Sequence, residues 1–355
     1  MMRAIVLDAF GGVEHLRWAE WPLPQPGPGQ VRIRVAAIAV NPVDWKMRQG
    51  WLSVALPTIL GRDVAGTIDA VGEAVTEFAP GDEVFAVLFG PRSNGAYAPY
   101  VATSPCFVHP KPRGLSHAQA AALGVAGLTA YESVVRKARV QQGEAVLITG
   151  GAGGVGSFAI PLLRHAGASP IIATYGTETS RRYLIDLMGL EADHLIGYRG
   201  RPLDVLEADV RERTGGRGVA AAFDFVGADM KTLCLRALDF DGRVVSIVEE
   251  PPGPGLDVSR PDRSPLLAKS GTFHFVATSA RARSGEAVRW RVYREMMADL
   301  TALIEAGRIP APHVTTVGEL GEETIREAHA RLETGHVTGK LILTVGEHPP
   351  ARPGH

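Results

Sequence analysis

Apolar residues in the first third of the chain come in short runs, broken wherever turn residues intervene. Residues 4–7 form one run. In residues 31–36, Val31, Ile33 and Val35 alternate with Arg32 and Arg34, the period of two that marks a half-buried strand. Between these runs, Pro22, Pro24, Pro26 and Pro28 rule out helix and central strand, so the segment is a surface turn. Pro42 is placed to open a helix with Asn41 as its cap, and Gly50 to close it. Residues 60–68 and 71–84 hold short strands separated by Gly, Pro and Asp turns, and residues 95–101 add another. Strands spaced about ten residues apart in this way predict a compact β barrel. Ser116 caps a helix of small residues running to Leu123, and residues 128–138 make a second.

From residue 145 the rhythm changes to strands alternating with helical stretches. Val146, Leu147 and Ile148 read as a buried strand. Gly151-Ala152-Gly153-Gly154-Val155-Gly156 follows and fits G-x-G-x-x-G. Phe158, Ile160, Leu162 and Leu163 then lie at helical length before Gly167. Strand, glycine turn and helix make the first half of a dinucleotide-binding unit, in which a pyrophosphate approaches bare amides at a helix N-terminus. The later strands are predicted at residues 171–174, 219–225, 242–247 and 273–276. Ligands bind beyond the carboxyl ends of such strands. This places Val226, Gly227 and Ser246 on the nicotinamide half of the site, and Phe275 and Val276, on the last, edge strand, are further cofactor-binding candidates. Met296, Leu300, Leu303 and Ile304 form a helical core stripe, and the Pro-rich tail 347–355 is predicted to be disordered.

Composition narrows the function classes. The chain has 355 residues, enough for two domains, and a formal net charge of -1, which gives no electrostatic case for nucleic acid or an anionic membrane. No apolar run is long enough to span a bilayer, and the first residues lack a signal-peptide core. Cys106 and Cys234 cannot build a disulfide framework, so the expected compartment is the cytoplasm.

Five ordered motifs carry a resemblance: Asn41-Pro42-x-Asp44, Gly61-x-Asp63-x-x-Gly66, Val71-Gly72 with Gly81-Asp82, Gly95-Ala96-Tyr97, and the turn at 151–156. In this order they are similar to the medium-chain dehydrogenase/reductase superfamily, and most to its zinc-free quinone oxidoreductase and enoyl reductase branch. The resemblance runs to Gly339-Lys340-Leu341-Ile342-Leu343. It implies an α/β fold, with a doubly wound Rossmann domain (125–279) inserted into a chaperonin-10-like β-barrel catalytic domain (1–124 and 280–355). It also implies Thr129 near the nicotinamide phosphate, and a homodimer through the strand at 273–276.

Zinc-using members of that superfamily hold the metal with Cys and His donors. Here Asn41 stands where the Cys would, and Arg62-Asp63 where His-Glu would, so no catalytic metal is expected. An NAD-selective site ends its second strand in Asp or Glu; this chain has Thr174-Tyr175-Gly176-Thr177. Arg181 and Arg182 follow, in a helix's first turn where they oppose the macrodipole and invite an anion such as a 2′-phosphate. In the resembling family a Lys after Gly-Thr and a Tyr ending the third strand serve that phosphate. Arg181 and Tyr198 fall at about those places, with Ser180 an alternative to Arg181. The expected cofactor is NADPH.

Hydride delivered to a conjugated carbonyl leaves an oxyanion that preorganised donors can meet without metal. The candidate donors are Asn41, Lys46 and Tyr97. Against them stand plainer roles: Lys46 as a rim lysine paired with Asp44, Tyr97 as a packing residue, and Asp63 as an ion pair with Arg62. The expected activity is NADPH-dependent reduction of a quinone or an α,β-unsaturated ketone, aldehyde or thioester. A non-catalytic NADPH-binding sensor or structural protein is the alternative.

Overall fold

The computed structural model describes residues 1–52, 54–90, 93–248 and 266–346. The tail 347–355, on which disorder was expected, lies outside the described residues. The chain divides into two compact units, Met1–Leu128 with Ser279–His355, and Thr129–Thr278. The change expected after residue 124 comes after Leu128. Residues 123–127 stay with the first unit because Asp63 of that unit bonds the backbone at Val125.

The first unit is built on Val31–Val40, a ten-residue strand. The predicted strand stopped at residue 36, where strict alternation ends. It continues because Ala37, Ile38, Ala39 and Val40 are all buried, so both faces are apolar. One edge of the strand pairs with Asp63–Val71. The other takes Tyr100–Thr103 near its start and Lys340–Thr344 near its end. Two register shifts against Asp63–Val71 let the strand bend between these partners. Val314–Glu319, Glu83–Val87 and Val108–Pro110 complete a seven-stranded sheet. A three-stranded sheet holds Leu16–Trp21, Met2–Leu7 and Thr58–Ile59. The strand expected from residue 95 begins only at Tyr100, since Pro99 has no N–H to give a ladder. Tyr97 instead donates its N–H to Leu60 O (3.1 Å) and accepts from Ile5 N (2.9 Å). In Arg291–Glu305, Met296, Leu300 and Ile304 are buried, with Leu303 at the margin of the stripe.

The second unit is a six-stranded parallel sheet. Its order is Leu195–Gly197, Ile171–Tyr175, Val146–Thr149, Val219–Asp224, Leu238–Ser246, Thr272–Phe275. In sequence order this is 3-2-1-4-5-6, the doubly wound dinucleotide arrangement, with its crevice where Val146–Thr149 and Val219–Asp224 lie side by side. Leu147, Ile172, Ile196, Ala222 and Val244, one from each of five strands, share one core with helix Asp229–Arg236. Among the described residues, no helix is long and apolar enough to cross a membrane.

Candidate active site

The nucleotide cradle grows out of Val146–Thr149. Gly150 leaves that strand with φ +70°, a conformation that favours glycine. The chain then winds into helix Gly156–His165. A Cβ on Gly156 would stand 2.3 Å from Gly150 O and 2.5 Å from Gly151 Cα, so the helix is set flush against the turn. On Gly153 it would come within 3.3 Å of the same carbonyl. No side chain caps this helix, whose N-cap is Val155. An uncapped N-terminus behind a glycine turn offers amides and a positive dipole end to an anion, so the cradle fits a dinucleotide diphosphate. Gly151, Ala152, Gly153, Gly154, Val155 and Gly156 thus lie together where the motif placed them.

Across the crevice, the position of a Gly150 Cβ is 3.1 Å from Val226 and 3.3 Å from Phe225, so the loop after Val219–Asp224 adjoins the turn. Fully buried Asp224 holds that loop. Its Oδ1 accepts from Val226 N (3.2 Å) and Gly227 N (2.7 Å), and its Oδ2 accepts from Ser246 Oγ (2.7 Å). Lys231 Nζ, 3.9 Å from the carboxylate, donates to Val248 O at 3.1 Å. Ser246 was expected to face the nicotinamide. Its buried hydroxyl is instead given to Asp224, so it fixes the loop. Val226 and Gly227, the latter at φ +89°, remain at the mouth. Val276 is buried, with its N–H on Ser246 O, whereas Phe275 is 67% exposed on the sheet's edge strand. Phe275 is therefore moved from the cofactor set to the edge. Thr129 is buried, with its hydroxyl 2.9 Å from that of Thr278.

The tip of Ile171–Tyr175 carries no carboxylate. Thr174 is buried, and its Oγ1 has no hydrogen-bond partner among the described residues. Tyr198 N donates to Tyr175 O (3.1 Å), which brings its side chain to Gly176. A Cβ on Gly176 would be 2.6 Å from Tyr198 Oη and 3.3 Å from Arg199 Nε. Thr177 caps Glu178–Arg182, and Ser180 Oγ donates back to Thr177 O at 2.9 Å, so Ser180 is part of the cap. Arg181 and Arg182 are the fourth and fifth residues of a helical run that continues through Tyr183–Leu187, so they stand at the close of its first turn. They share Glu178 Oε1 at 3.4 and 3.3 Å, so a carboxylate of the same turn already offsets part of their charge and weakens the macrodipole argument for an anion. A cavity of about 660 Å³ opens beside this tip. Tyr198, Arg199, Arg201, Leu203, Val226 and Asp229 are among its walls.

In the first unit, Asn41 ends the long strand and starts helix Pro42–Arg48. Asp44 Oδ2 accepts from Asn41 N (2.8 Å). The Asn41 side chain is spent elsewhere. Its Nδ2 donates to Asp63 Oδ2 (2.8 Å) and Ala39 O (3.3 Å), and its Oδ1 accepts from Lys340 Nζ (2.5 Å). Lys340 also donates to Val40 O at 3.1 Å and stands 4.0 Å from Asp63 Oδ2. Asp63 Oδ1 accepts from Val125 N (2.8 Å), and a Cβ on Gly124 would fall 2.2 Å from that oxygen. Burial pushes the Asp63 carboxyl up to about 7, against the pull of Lys340, Asn41 and Val125. Burial likewise pushes Asp44 up to about 6 and lowers Lys340. Both amide hydrogens of Asn41 are taken, so it is a positioning residue and not a donor to ribose or substrate. The expected Arg62–Asp63 pair is absent: Arg62 Nη1 donates to Leu88 O at 2.9 Å, and Asp63 has Lys340.

Tyr97 is also withdrawn as a donor. It is fully buried, with its hydroxyl 2.9 Å from His329 Nε2. Arg48 Nε lies 3.4 Å from His329 Nδ1, and its guanidinium holds Gly11 O and Glu333. Arginine only donates, so Nδ1 accepts and Nε2 carries the proton toward Tyr97. Burial, then the Arg48 charge, pushes His329 down to about 3, so it is neutral. Lys46 is the donor that stays accessible. Asp44 is buried within the cluster, and the Lys46 ammonium lies 5.4 Å from the Trp51 ring centroid and 6.0 Å from that of Trp45.

Sequence reasoning missed Lys340, His329, Arg48 and the anchoring role of Asp224. For Lys340 and Asp224 a signal existed: a charged residue embedded in an apolar strand run, Lys340-Leu341-Ile342-Leu343 and Ala221-Ala222-Phe223-Asp224, must find a buried partner. His329 and Arg48 gave none, because their contacts span almost the whole chain.

A doubly wound sheet with a flush glycine cradle defines a Rossmann-type dinucleotide-binding unit. Residues 27–113 match the alcohol dehydrogenase GroES-like domain, and residues 190–343 the zinc-binding dehydrogenase family. An NADPH-dependent alkenal/one oxidoreductase of Arabidopsis thaliana is 33% identical over 354 residues, covering 96% of this chain and 79% of that one. The Homo sapiens quinone oxidoreductase is 32% identical, covering 97% and 98%. A mycobacterial structure complexed with NADPH superposes with a TM-score of 0.83 at 29% identity, covering 97% and 100%. The chain belongs to the medium-chain dehydrogenase/reductase superfamily, in its zinc-free quinone oxidoreductase and enoyl reductase branch.

Proposed function

We propose that this oxidoreductase uses NADPH to reduce quinones or α,β-unsaturated carbonyls without a metal ion. The observation that carries the reading is the Asn41–Asp63–Lys340 cluster. Asn41, where zinc-using relatives bring Cys, and Asp63, where they bring Glu, are here bonded to each other and to a buried ammonium, while Arg62, at the His position, donates to Leu88 O. Among the described residues, no group of three or more His, Cys, Asp or Glu is placed to hold a metal. An acceptor that needs no Lewis acid is one whose carbonyl is already conjugated.

The turn at 151–156 holds the diphosphate of the nucleotide. Val226 and Gly227 border the crevice, and Thr129 lies at the unit's first residue. Tyr198 and Arg199, with Arg181 beyond them, surround the carboxylate-free tip after Tyr175 and suit a 2′-phosphate. When bound, the reduced nicotinamide supplies one hydride. A quinone that gains this hydride and one proton becomes a hydroquinone; an enone becomes a saturated carbonyl. Lys46 meets the negative charge that develops on the carbonyl oxygen. The exposed edge strand Thr272–Phe275 supports a homodimer built by strand addition.

The test is a panel of quinones, enals and enoyl thioesters, followed by NADPH absorbance and product analysis. Reduction of at least one class supports the reading. Tight NADPH binding with no turnover of any class makes the chain a non-catalytic nucleotide-binding protein.

A further inference from the structure

Four stretches of the first unit, far apart in sequence, meet at one buried carboxylate. Asp63 opens the strand Asp63–Val71 and is fully buried. Its Oδ2 accepts from Asn41 Nδ2 (2.8 Å) and lies 4.0 Å from Lys340 Nζ. Its Oδ1 accepts from Val125 N (2.8 Å). Val125 belongs to the segment Leu123–Gly127, which leaves helical geometry at Gly124 (ψ -109°). A Cβ on Gly124 would fall 2.2 Å from Asp63 Oδ1, so only glycine lets this backbone come so close to the carboxylate. Ala126, Gly127 and Leu128 alone separate Val125 from Thr129, where the second unit begins. Thr129 is in turn tied by its hydroxyl to Thr278, the last residue of that unit.

Among the described residues, the groups that meet the Asp63 carboxylate are an amide NH2, a backbone N–H and an ammonium, and all three only donate. They suit the ionised form. A proton taken up by Asp63 must displace one of them. Asn41 and Lys340 are fixed by the sheet, since Asn41 directly follows Val31–Val40 and that strand pairs with Lys340–Thr344, Leu341 against Val40. Val125 lies on no strand, so its N–H is the donor that yields. The charged and titratable groups facing Asp63 are Lys340 on the last strand, Asp44 on Pro42–Arg48, and Tyr97. Lys340 favours the ionised form, but burial prevails and holds the carboxyl at about 7, so proton uptake falls close to neutral pH. We infer that Asp63 is a proton-sensitive latch: ionised, it grips the kinked segment at Val125; protonated, it releases Val125, loosens the chain where it enters the second unit and so weakens nucleotide binding. The consequence for the nucleotide rests on the proposed function; the latch itself does not.

The experiment has two arms. In the first, hydrogen–deuterium exchange of the whole protein is read on peptides spanning residues 121–130 at pH 8 and pH 6, corrected for the intrinsic pH dependence of exchange. A carboxyl titrating at about 7 passes from about one-tenth to about nine-tenths protonated over that range, so protection of this segment is expected to fall about tenfold. Gly124→Ala sets a methyl against Asp63 Oδ1 and touches no charge. Its protection is expected to be low already at pH 8 and to change less than twofold. In the second arm, NADPH affinity is measured for wild type and Gly124→Ala at both pH values, as a ratio that cancels the titration of the nucleotide's own phosphate. The variant is expected to bind about fivefold more weakly at pH 8, the low end of a coupling between sites, and within twofold of wild type at pH 6. Wild-type protection that stays within twofold between the two pH values overturns the latch, and does so even if Gly124→Ala fails to fold. An affinity ratio equal at both pH values overturns its hold on the nucleotide. If the wild type binds no NADPH, the proposed function fails, and the exchange arm still decides whether the latch exists.

Discussion

Lys340, on the final strand of the first unit, gives its ammonium to Asn41 Oδ1 at 2.5 Å. That contact joins chain segments 299 residues apart. It also brings a positive charge to fully buried Asp63. Removing one member strands the other. Lys340→Met and Asp63→Asn are each expected to destabilise by about 3–5 kcal/mol, the cost of an unpaired buried charge. The double variant should lose clearly less than the sum. Chemical denaturation of all four proteins checks this, and strict additivity would show that the two groups do not depend on each other.

The buried titratable groups give opposing pH dependences. Native His329 stays neutral down to about 3, while an unfolded histidine protonates near 6.5. Between those values the unfolded chain binds the extra proton, so stability falls as pH falls, by up to about 1.4 kcal/mol per pH unit. Asp44 and Asp63 act in the other direction. Their native values, about 6 and about 7, lie above the ordinary 3.8, so in that window the native chain binds more protons and stability falls as pH rises. In a melting series from pH 6.5 down to 4, the acid limb of His329→Gln should move toward greater stability relative to the wild type, because only the wild type carries the histidine's acid penalty. An unchanged limb would mean that His329 is charged in the native protein.

Gly156 tests the cradle. A methyl there meets backbone at 2.3 Å, which cannot yield as a side chain would, whereas at Gly153 the nearest atom is 3.3 Å away. Gly156→Ala is expected to abolish the thermal stabilisation that saturating NADPH confers, and Gly153→Ala to reduce it in part. Equal nucleotide stabilisation in both variants would detach the motif from binding.

Nucleotide preference tests the tip after Tyr175. Tyr198→Ala and Arg199→Ala should each lower the NADPH-to-NADH preference in kcat/KM by about tenfold, the size of one charge-assisted contact. Arg181→Ala should lower it less, since Arg181 already shares Glu178. The opposite ranking would return the phosphate to Arg181.

Lys46→Met keeps the stem and removes the charge. It is expected to lower kcat by about a hundred- to a thousandfold, as loss of one oxyanion donor does. Unchanged kcat across the acceptor panel would return Lys46 to the surface.

The parts of the fold that could be read in advance rest on local pattern. Gly150 to Gly156 announce the cradle because strand, turn and helix are adjacent in sequence, and Val31, Ile33 and Val35 announce a strand by alternation. The pattern failed where local and distant needs diverge. Residues 95–99 look like a strand but form no ladder: Pro99 has no N–H to give, and Tyr97 bonds Leu60 and Ile5 by its backbone and His329, 232 positions away, by its hydroxyl. Asn41 looks like a cap and a ligand contact, yet Lys340 and Asp63 take its amide. Ser246 and Ser180 sit at the right strand and helix ends, but their hydroxyls complete local bonds to Asp224 and Thr177. Composition and spacing mark where a polar side chain stands; whether it is already satisfied depends on neighbours brought in by the tertiary fold.

The most direct test of the central claim is NADPH consumption with phenanthrenequinone by protein dialysed exhaustively against a chelator. The account predicts full activity after dialysis, one hydroquinone formed per NADPH consumed, and no gain on adding zinc. Activity lost on dialysis and restored by zinc, or NADPH bound but never consumed, would contradict it.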